Sequence, residues 1–452
     1  YILASTIMMP IYGKLGDLFG RKYLFIVALS VFIVGSATCG LTPSMDGLNA
    51  GRAVEGLGGG GLTILAQATI ADIIPPRQRG KYMGVMGSVF AVSTVVGPLL
   101  GGWFVQVTGW RWLFAFNIPL ALLAIAAVAF FLTNPERRDD RPPVDVGGMM
   151  AMAVSVSSLV LATAWGGTLY PWLSWQIIGL FALFVVAAVA FVLVERRAKE
   201  PIIPMLLFKN RNFVVCTVTG MFIMLGMMGT VSYLPTYFQI VDGLAPEQAG
   251  LMTFPMMAGV LLTAVGTGFL ATKTGRYKWM PIASFAVAAV GFVLLSRLTP
   301  DTSLLVTGVF LFVLGFGIGL GQQILVLIVQ NEFPHAIVGT ATAANNFFRQ
   351  IGSTLGASLV GALFTSRLAA DLAAQLPKTD NISMNRITPQ FIDHLGGPAR
   401  DIITTAYSDA LVPIFLYVVP LLVVGFLLML TLKENPLAKS VNHTGHPGDD
   451  AL

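Results

Sequence analysis

Residues 13–41 read GKLGDLFGRKYLFIVALSVFIVGSATCGL, a basic, glycine-punctuated stretch that leads into an uncharged run from Tyr23 to Leu41. A helix needs about 20 apolar residues to cross roughly 30 Å of hydrocarbon, and the second part of this stretch meets that length. The same alternation recurs along nearly the whole chain. Spans are expected near 1–12, 23–41, 47–71, 82–105, 112–132, 146–165, 173–194, 213–239, 248–271, 279–296, 303–330, 337–364 and 410–432. Membrane-crossing strands are excluded, because no open sheet edge survives in lipid and the runs are about twice as long as a barrel strand.

Composition agrees. Of 452 residues, 55% are hydrophobic and 11% charged, with a mean hydropathy of +0.78; about a quarter of a soluble domain is charged. The two cysteines, Cys39 and Cys216, each sit alone in an apolar run. They can build neither a disulfide framework nor a metal-ligand spacing, so no metal and no cofactor is expected. The formal net charge of +5 does not point to nucleic acid, because the basic residues lie in short loops between spans.

That placement reports orientation, since short cytoplasmic loops retain Lys and Arg. Alternate loops carry Lys14, Arg21 and Lys22; Arg77, Arg79 and Lys81; Arg137, Arg138 and Arg141; Arg196, Arg197, Lys199, Lys209 and Arg211; and Lys273, Arg276 and Lys278, with Arg111 and Arg297 as exceptions on the other side. The first of these loops is therefore expected in the cytoplasm, as is the tail from Lys433 to Leu452. The long polar loop 365–409 is expected outside. The chain opens at Tyr1 within an apolar run, without an initiator methionine or a signal-peptide pattern, so a preceding segment is expected.

The chain also repeats itself. A shift of 259 residues lays Gly56, Gly58 and Gly60 on Gly315, Gly317 and Gly319, Pro75 on Pro334, Gly80 on Gly339, Gly97 on Gly356 and Gly102 on Gly361. A shift of 255 lays Gly13, Leu15, Gly20 and Arg21 on Gly268, Leu270, Gly275 and Arg276. Two bundles related in this way predict a pseudo-two-fold axis along the membrane normal and a central cavity about which the halves rock. The expected parts are an N-terminal bundle at 1–133, two inserted helices within 134–200 and a C-terminal bundle at 201–452.

Ionisable residues at membrane depth are functional candidates. Arg52 and Glu55 lie three apart, on one helix face, and Glu55 is about nine residues, roughly 14 Å, inward from Asp46. A carboxylate beside an arginine can take and release a proton, because burial and the cation pull its affinity in opposite directions. A static ion pair that fixes helix packing is the competing reading. Asn345, Asn346, Arg349 and Gln350, with Gln322 and Gln323, are costly in lipid unless they face the bundle interior, and are candidates for the cavity lining or for interhelical hydrogen bonding. Seven methionines between Met221 and Met257 offer a surface able to repack around varied apolar molecules, although packing is their commoner use.

Several of these segments resemble the major facilitator superfamily. Gly13-Lys14-Leu15-Gly16-Asp17-Leu18-Phe19-Gly20-Arg21-Lys22 is similar to that family's loop between its second and third helices, in which Gly13, Asp17, Gly20 and Arg21 would latch one conformational state. Gly87, Gly97, Pro98, Gly101 and Gly102 resemble its antiporter motif, a close-packed seal that favours exchange. Arg52-Ala53-Val54-Glu55-Gly56 resembles its Arg-x-x-Gln-Gly pattern, with glutamate in place of glutamine. Trp110-Arg111-Trp112 with Asn117 and Pro119, and Tyr233 to Gln239 with Gly243, Ala249, Gly250 and Pro255, are similar to the fourteen-helix drug:proton antiporters of the EmrB/QacA type. The resemblance implies an all-α fold of two six-helix bundles plus two inserted helices, with the first helix missing from this chain. It also implies a plasma-membrane antiporter, working as a monomer, that exchanges protons for amphipathic, often cationic compounds.

A dedicated exporter of one endogenous metabolite or antibiotic is the alternative within the fold. An intramembrane enzyme would need a catalytic constellation, and the sequence has no His-Glu-x-x-His, no Gly-x-Ser-x-Gly and no carboxylate pair within one span; without a Walker-type loop, ATP is not the expected energy source. A receptor or channel fits the repeat poorly.

Overall fold

The computed structural model describes residues 1–133, 143–167, 169–375 and 397–437; the side chains of 95, 98, 373–375, 397–399 and 401 lie outside the description. The expected loop cations Arg137, Arg138 and Arg141 also fall outside it. Fourteen α-helices run through the described residues: α1 (Ile2–Phe19), α2 (Arg21–Leu41), α3 (Met45–Ile73), α4 (Pro76–Val107), α5 (Arg111–Phe131), α6 (Val146–Trp165), α7 (Trp175–Glu195), α8 (Arg211–Ile240), α9 (Pro246–Leu251), α10 (Phe254–Thr274), α11 (Trp279–Leu295), α12 (Leu304–Glu332), α13 (Val338–Gln375) and α14 (Gly397–Leu430).

Counting α9 and α10 as one span, ten are long and apolar enough to cross a membrane. The other expected spans, α1, α3 and α11, are helical but fall short of that measure. In α11 the cause is its 17 residues. In α3 it is glycine together with Arg52 and Glu55, which dilute the apolar character.

Helix starts follow side-chain chemistry. Ser44, Asp145 and Asn210 each accept a first-turn backbone N–H, at 3.1, 2.8 and 3.0 Å, opening α3, α6 and α8. Pro255 cannot donate to the preceding turn, and the expected span 248–271 is interrupted at Met252–Thr253. Two further boundaries differ from expectation. The stretch 13–22 is not a loop: α1 continues to Phe19 and the chain reverses at Gly20 alone, whose φ of 86° suits a residue without Cβ. The expected loop 365–409 is partly helical, because α13 runs on to Gln375 and α14 begins at Gly397.

The repeat is written into the packing. A Cβ on Gly56 would strike Tyr1, the residue that caps α1, and one on Gly315 would strike α10 at Met256. Gly58 lies against Ala28 and Phe32 of α2, and Gly317 against Ala288 of α11; Gly60 meets Ser5, and Gly319 meets Val260 and Thr263. Each glycine of α3 therefore does for α1 and α2 what its counterpart in α12 does for α10 and α11. Small residues let helices approach where lipid offers no hydrophobic drive for association. Helices α1–α5 and α10–α14 are thus two copies of one packing scheme.

Helices α6 and α7 pair with each other, and α6 leans on α1 and α13, one from each copy. Beyond α7, Glu195 accepts the N–H groups of Ile202 and Ile203, and Glu200 pairs with Lys14 at 2.7 Å, tying the returning chain to α1. The expected methionine surface is largely interior: Met227, Met256 and Met257 are buried among packed apolar side chains.

Candidate functional site

The expected site residues form three groups at different depths. The first is Glu55 on α3, 1% exposed. Its Oε1 accepts from Ser36 Oγ of α2 at 2.7 Å and from Asn117 Nδ2 of α5 at 3.3 Å, and its Oε2 from Arg52 Nη1. Gly35 makes this possible, because any Cβ there would collide with the Glu55 backbone. Arg52 is 40% exposed at its side chain, and its guanidinium lies 4.5 Å from the Tyr1 ring and 5.8 Å from that of Phe114. An ionised carboxylate can accept from all three donors. A protonated one must surrender at least part of the arginine contact. The pair lies inside the first copy, among α1, α2, α3 and α5, and not on the seam between copies.

The second group is the seam at the end of the bundle that carries Lys14, Arg21, Lys81, Lys273 and Arg276, called here the basic end. Thr340, in the first turn of α13, donates its N–H at 2.6 Å and its hydroxyl at 2.7 Å to Asp17 Oδ2 of α1. A carboxylate at a helix N-terminus is favoured by the unpaired amides and the helix dipole. Gly13 packs on Gly339 and Ala343, and Gly339 leaves room for the Asp17 carboxylate. Arg21 reaches Asp17 at 3.1 Å and Asp72 at 2.9 Å, and His335 of the second copy lies 3.1 Å from Asp72. Gly13, Asp17 and Arg21 are therefore brought to this seam, and Gly20 makes the turn between Asp17 and Arg21.

The pseudo-equivalent contact is present too. Lys81 N–H in the second turn of α4 donates to Thr272 of α10 at 3.0 Å, so a neutral hydroxyl stands where the first copy has Asp17.

Deeper on the same seam, Arg79 is 5% exposed and donates to Ala71 O, Ile74 O and, across the seam, Gln330 O at 3.1 Å. Gln330 Nε2 returns a bond to Gln67 O at 3.2 Å, and Asn346 Nδ2 bonds Gln67 Oε1 at 2.8 Å. Sequence reasoning missed this layer. Arg79 was an ordinary loop cation, and Gln67, Asp72, Gln330 and His335 carry no local signal, because their partners lie some 250 residues away in the chain.

The third group is the polar run of α13. Asn345 donates to Thr217 of α8 at 3.1 Å, Asn346 faces Gln67, and Arg349 lies on Gly220 of α8; Gln350 is half-buried. Gln322 is buried, and Gln323 extends toward Gly87 of α4.

The glycines of the antiporter-like motif lie in different surroundings. Gly87 packs on Ala264 and Gln323, but among the described residues nothing lies within 4 Å of a Cβ on Gly97 or Gly102, and Gly101 meets only Leu113, at 4.0 Å. The Pro98 side chain lies outside the description. Close approach falls instead at Gly80, Gly84 and Gly87, against Gly268 and Ala264 of α10, because α4 and α10 cross near the basic end and diverge beyond it.

In overall shape the molecule is similar to the human organic anion transporter MFSD10 (TETRAN), with a TM-score of 0.62 at 16% identity over 95% of this chain and 81% of that one. In sequence, the profile described as Major Facilitator Superfamily matches residues 1–146 and 142–357, and the chain belongs to that superfamily. An uncharacterised MFS-type transporter of Mycobacterium tuberculosis is 39% identical over 453 residues, covering 99% of this chain. The multidrug transporter protein MdtP of Bacillus subtilis is 39% identical over 369 residues, covering 81% of this chain and 68% of its own length. The chain spans 65% of the length of the mycobacterial relative.

Proposed function

We propose that this chain is the core of a proton-coupled efflux transporter of the fourteen-helix drug:proton antiporter group, moving small amphipathic molecules out of the cell across the plasma membrane. In this reading residues 1–133 and 201–452 form two bundles that rock about a central cleft, residues 134–200 join them, and one copy of the chain suffices. The basic end and the C-terminus lie in the cytoplasm, following the rule that short cytoplasmic loops keep Lys and Arg.

The observation that carries the reading is the uneven seam. At the basic end the copies are bound by Asp17 with Thr340, Arg79 with Gln330, and Gln67 with Asn346 and Gln330. At the opposite end they meet through an exposed Gln106–Glu247 hydrogen bond of 3.3 Å. In this reading the uneven seam belongs to a state closed to the cytoplasm and open outward. Arg52, part-exposed toward the open end, gives water a route to Glu55. Protonation there loosens the arginine and biases the first copy toward the alternative state; release of that proton inside resets it. The name of MdtP and the antiporter-like glycines support export over import.

Proteoliposomes holding the chain, loaded with ethidium and given a pH gradient, test this. Ethidium should be expelled against its own gradient, and a protonophore should abolish the movement. Flux that ignores the protonophore, or none beyond that of empty vesicles, contradicts the reading.

A further inference from the structure

Helices α6 and α7 are joined, at the end opposite the basic one, by a turn over residues 166–174 that is built around an indole. Trp172 lies against the backbone of Gly166 and Gly167: a Cβ on Gly166 would come within 2.7 Å of its ring, and one on Gly167 within 2.6 Å of its Nε1. Gly167 turns with a φ of 75°, which suits a residue without Cβ, and its N–H donates to Tyr170 O at 2.8 Å. The N–H groups of Leu169 and Tyr170 return to Trp165 O at 2.9 and 3.1 Å, and the Tyr170 ring meets the Trp165 ring edge-on. Ser174 Oγ accepts the Ile177 N–H and opens α7. The turn is thus held by its own contacts, yet it leaves apolar side chains outward: Leu169, Leu173 and Trp175 are 63, 89 and 80% exposed.

A contiguous apolar patch of this kind is disfavoured in water, and charge and depth decide what covers it. The other described turns at that end each have a charged residue in or beside them: Asp46, Arg111, Asp242, and Arg297 with Asp301. No charged residue lies between Asp145 and Glu195. On one face of α7 the exposed side chains of Leu193, Val189, Val185 and Ile178 run up to Trp175, so the patch continues the surface that this helix offers to lipid. Gly148 sits against both Asp145 and Glu195, so the pair also meets at the basic end. From there α6, with 20 residues, and α7, with 21, rise about 30 Å, the thickness of the hydrocarbon. Trp165 and Trp175 therefore fall at the boundary between acyl chains and headgroups, where an indole keeps its apolar body in lipid and its N–H near water.

We infer that this tip is a membrane anchor: Trp165, Leu169, Leu173 and Trp175 sit in the headgroup boundary of the leaflet at the end opposite the basic one, and they fix the depth of α6. Because α6 touches α1 of one copy and α13 of the other, the anchor gives both copies a stationary neighbour as they tilt. That last step rests on the transporter reading; the insertion of the tip into lipid does not.

Both native cysteines are buried, so an introduced surface thiol can be labelled selectively. Leu173→Cys carries the fluorophore NBD on the full chain in lipid nanodiscs, and Asp301→Cys, exposed at the same end, is the water control. Dithionite should bleach the label at 173 at least about tenfold more slowly than the one at 301, and lipid with a nitroxide near the headgroup should quench it at least about twofold more than lipid with one near the chain end. Rapid bleaching without lipid quenching would place the tip in water. Protection without quenching by either lipid would place it under another protein chain, and stronger quenching by the deep nitroxide would place it below the boundary; each of these overturns the inference. Val146, exposed at the basic end of α6, reports the depth of that helix. When Leu173→Asp and Trp175→Asp release the tip, NBD at Val146→Cys should be drawn toward lipid and bleach at least about threefold more slowly. An unchanged rate in monodisperse protein would mean that the tip does not hold α6. Neither readout uses transport, so efflux that fails leaves the anchor standing, and an anchor that fails leaves efflux standing.

Discussion

Glu55→Gln should reduce pH-gradient-driven efflux to the level of empty vesicles while leaving the protein folded. Glutamine has nearly the shape of glutamate, and its carbonyl oxygen can still accept from Ser36 and Asn117, which donate to Glu55 at 2.7 and 3.3 Å. What is lost is the buried carboxylate beside Arg52, which can carry a proton, and with it the negative charge that holds Arg52. Breaking a fully buried ion pair costs about 3–5 kcal/mol. Arg52 is 40% exposed, however, so water can solvate it, and the loss of stability should be well below that range. Separating the two effects needs two measurements on one preparation: thermal unfolding, expected to change little, and flux under an imposed gradient, expected to vanish. Full gradient-driven flux in the glutamine variant would remove Glu55 from the mechanism and leave it a packing residue.

Gly13→Val should hold the basic end open. A Cβ at position 13 would overlap that of Ala343 and come within 3.0 Å of the Gly339 carbonyl oxygen, and both neighbours belong to the first turns of α13. Overpacking of this kind costs typically about 1–3 kcal/mol. Here it is relieved by parting α1 from α13, which also breaks the two Thr340 bonds to Asp17. A bias of that size shifts the equilibrium between states by about 5- to 150-fold. A cysteine in place of Gln330, which is 1% exposed in the closed seam, reports it. A small maleimide should modify that thiol at least about tenfold faster in the valine background, with transport strongly reduced. Unchanged reactivity would mean that the seam tolerates the added methyl groups and that Gly13 does not govern closure.

The fold was legible in the sequence for a simple reason: in lipid every backbone donor must be satisfied locally, so hydropathy and length nearly dictate the helices. The glycine repeat was legible as well, and its meaning is now physical, since Gly56, Gly58 and Gly60 meet α1 and α2 as Gly315, Gly317 and Gly319 meet α10 and α11. Where local rules and tertiary contact disagreed, contact prevailed. Gly13 and Gly16 read as loop-formers, because glycine costs a helix about 1 kcal/mol. They are helical because Gly13 must approach Ala343 and Gly16 must approach Leu65. The end of α13 read as loop because it is polar.

The site was legible only where chemistry was concentrated in a few neighbouring residues, as in Arg52 and Glu55 or Asp17 and Arg21. Arg79, Gln67, Asp72, Gln330 and His335 make the seam through partners on the other copy, and no window of sequence contains both members of those pairs. Ser36 was equally silent, one hydroxyl in an apolar helix until Glu55 is placed beside it.

The central claim is that the two copies tilt about the cleft between them, closing one end as the other opens, under the control of a proton. Distances between paired labels test it most directly. Tyr23 and Lys273 flank the basic end, Leu41 and Leu305 lie at the opposite end, all four are exposed, and both native cysteines are buried. In lipid nanodiscs a change of pH should move the two distance distributions in opposite directions, the basic-end pair widening as the opposite pair narrows, and Glu55→Gln should abolish the pH response. Distances that move together, or that ignore pH in the wild type, would contradict the account.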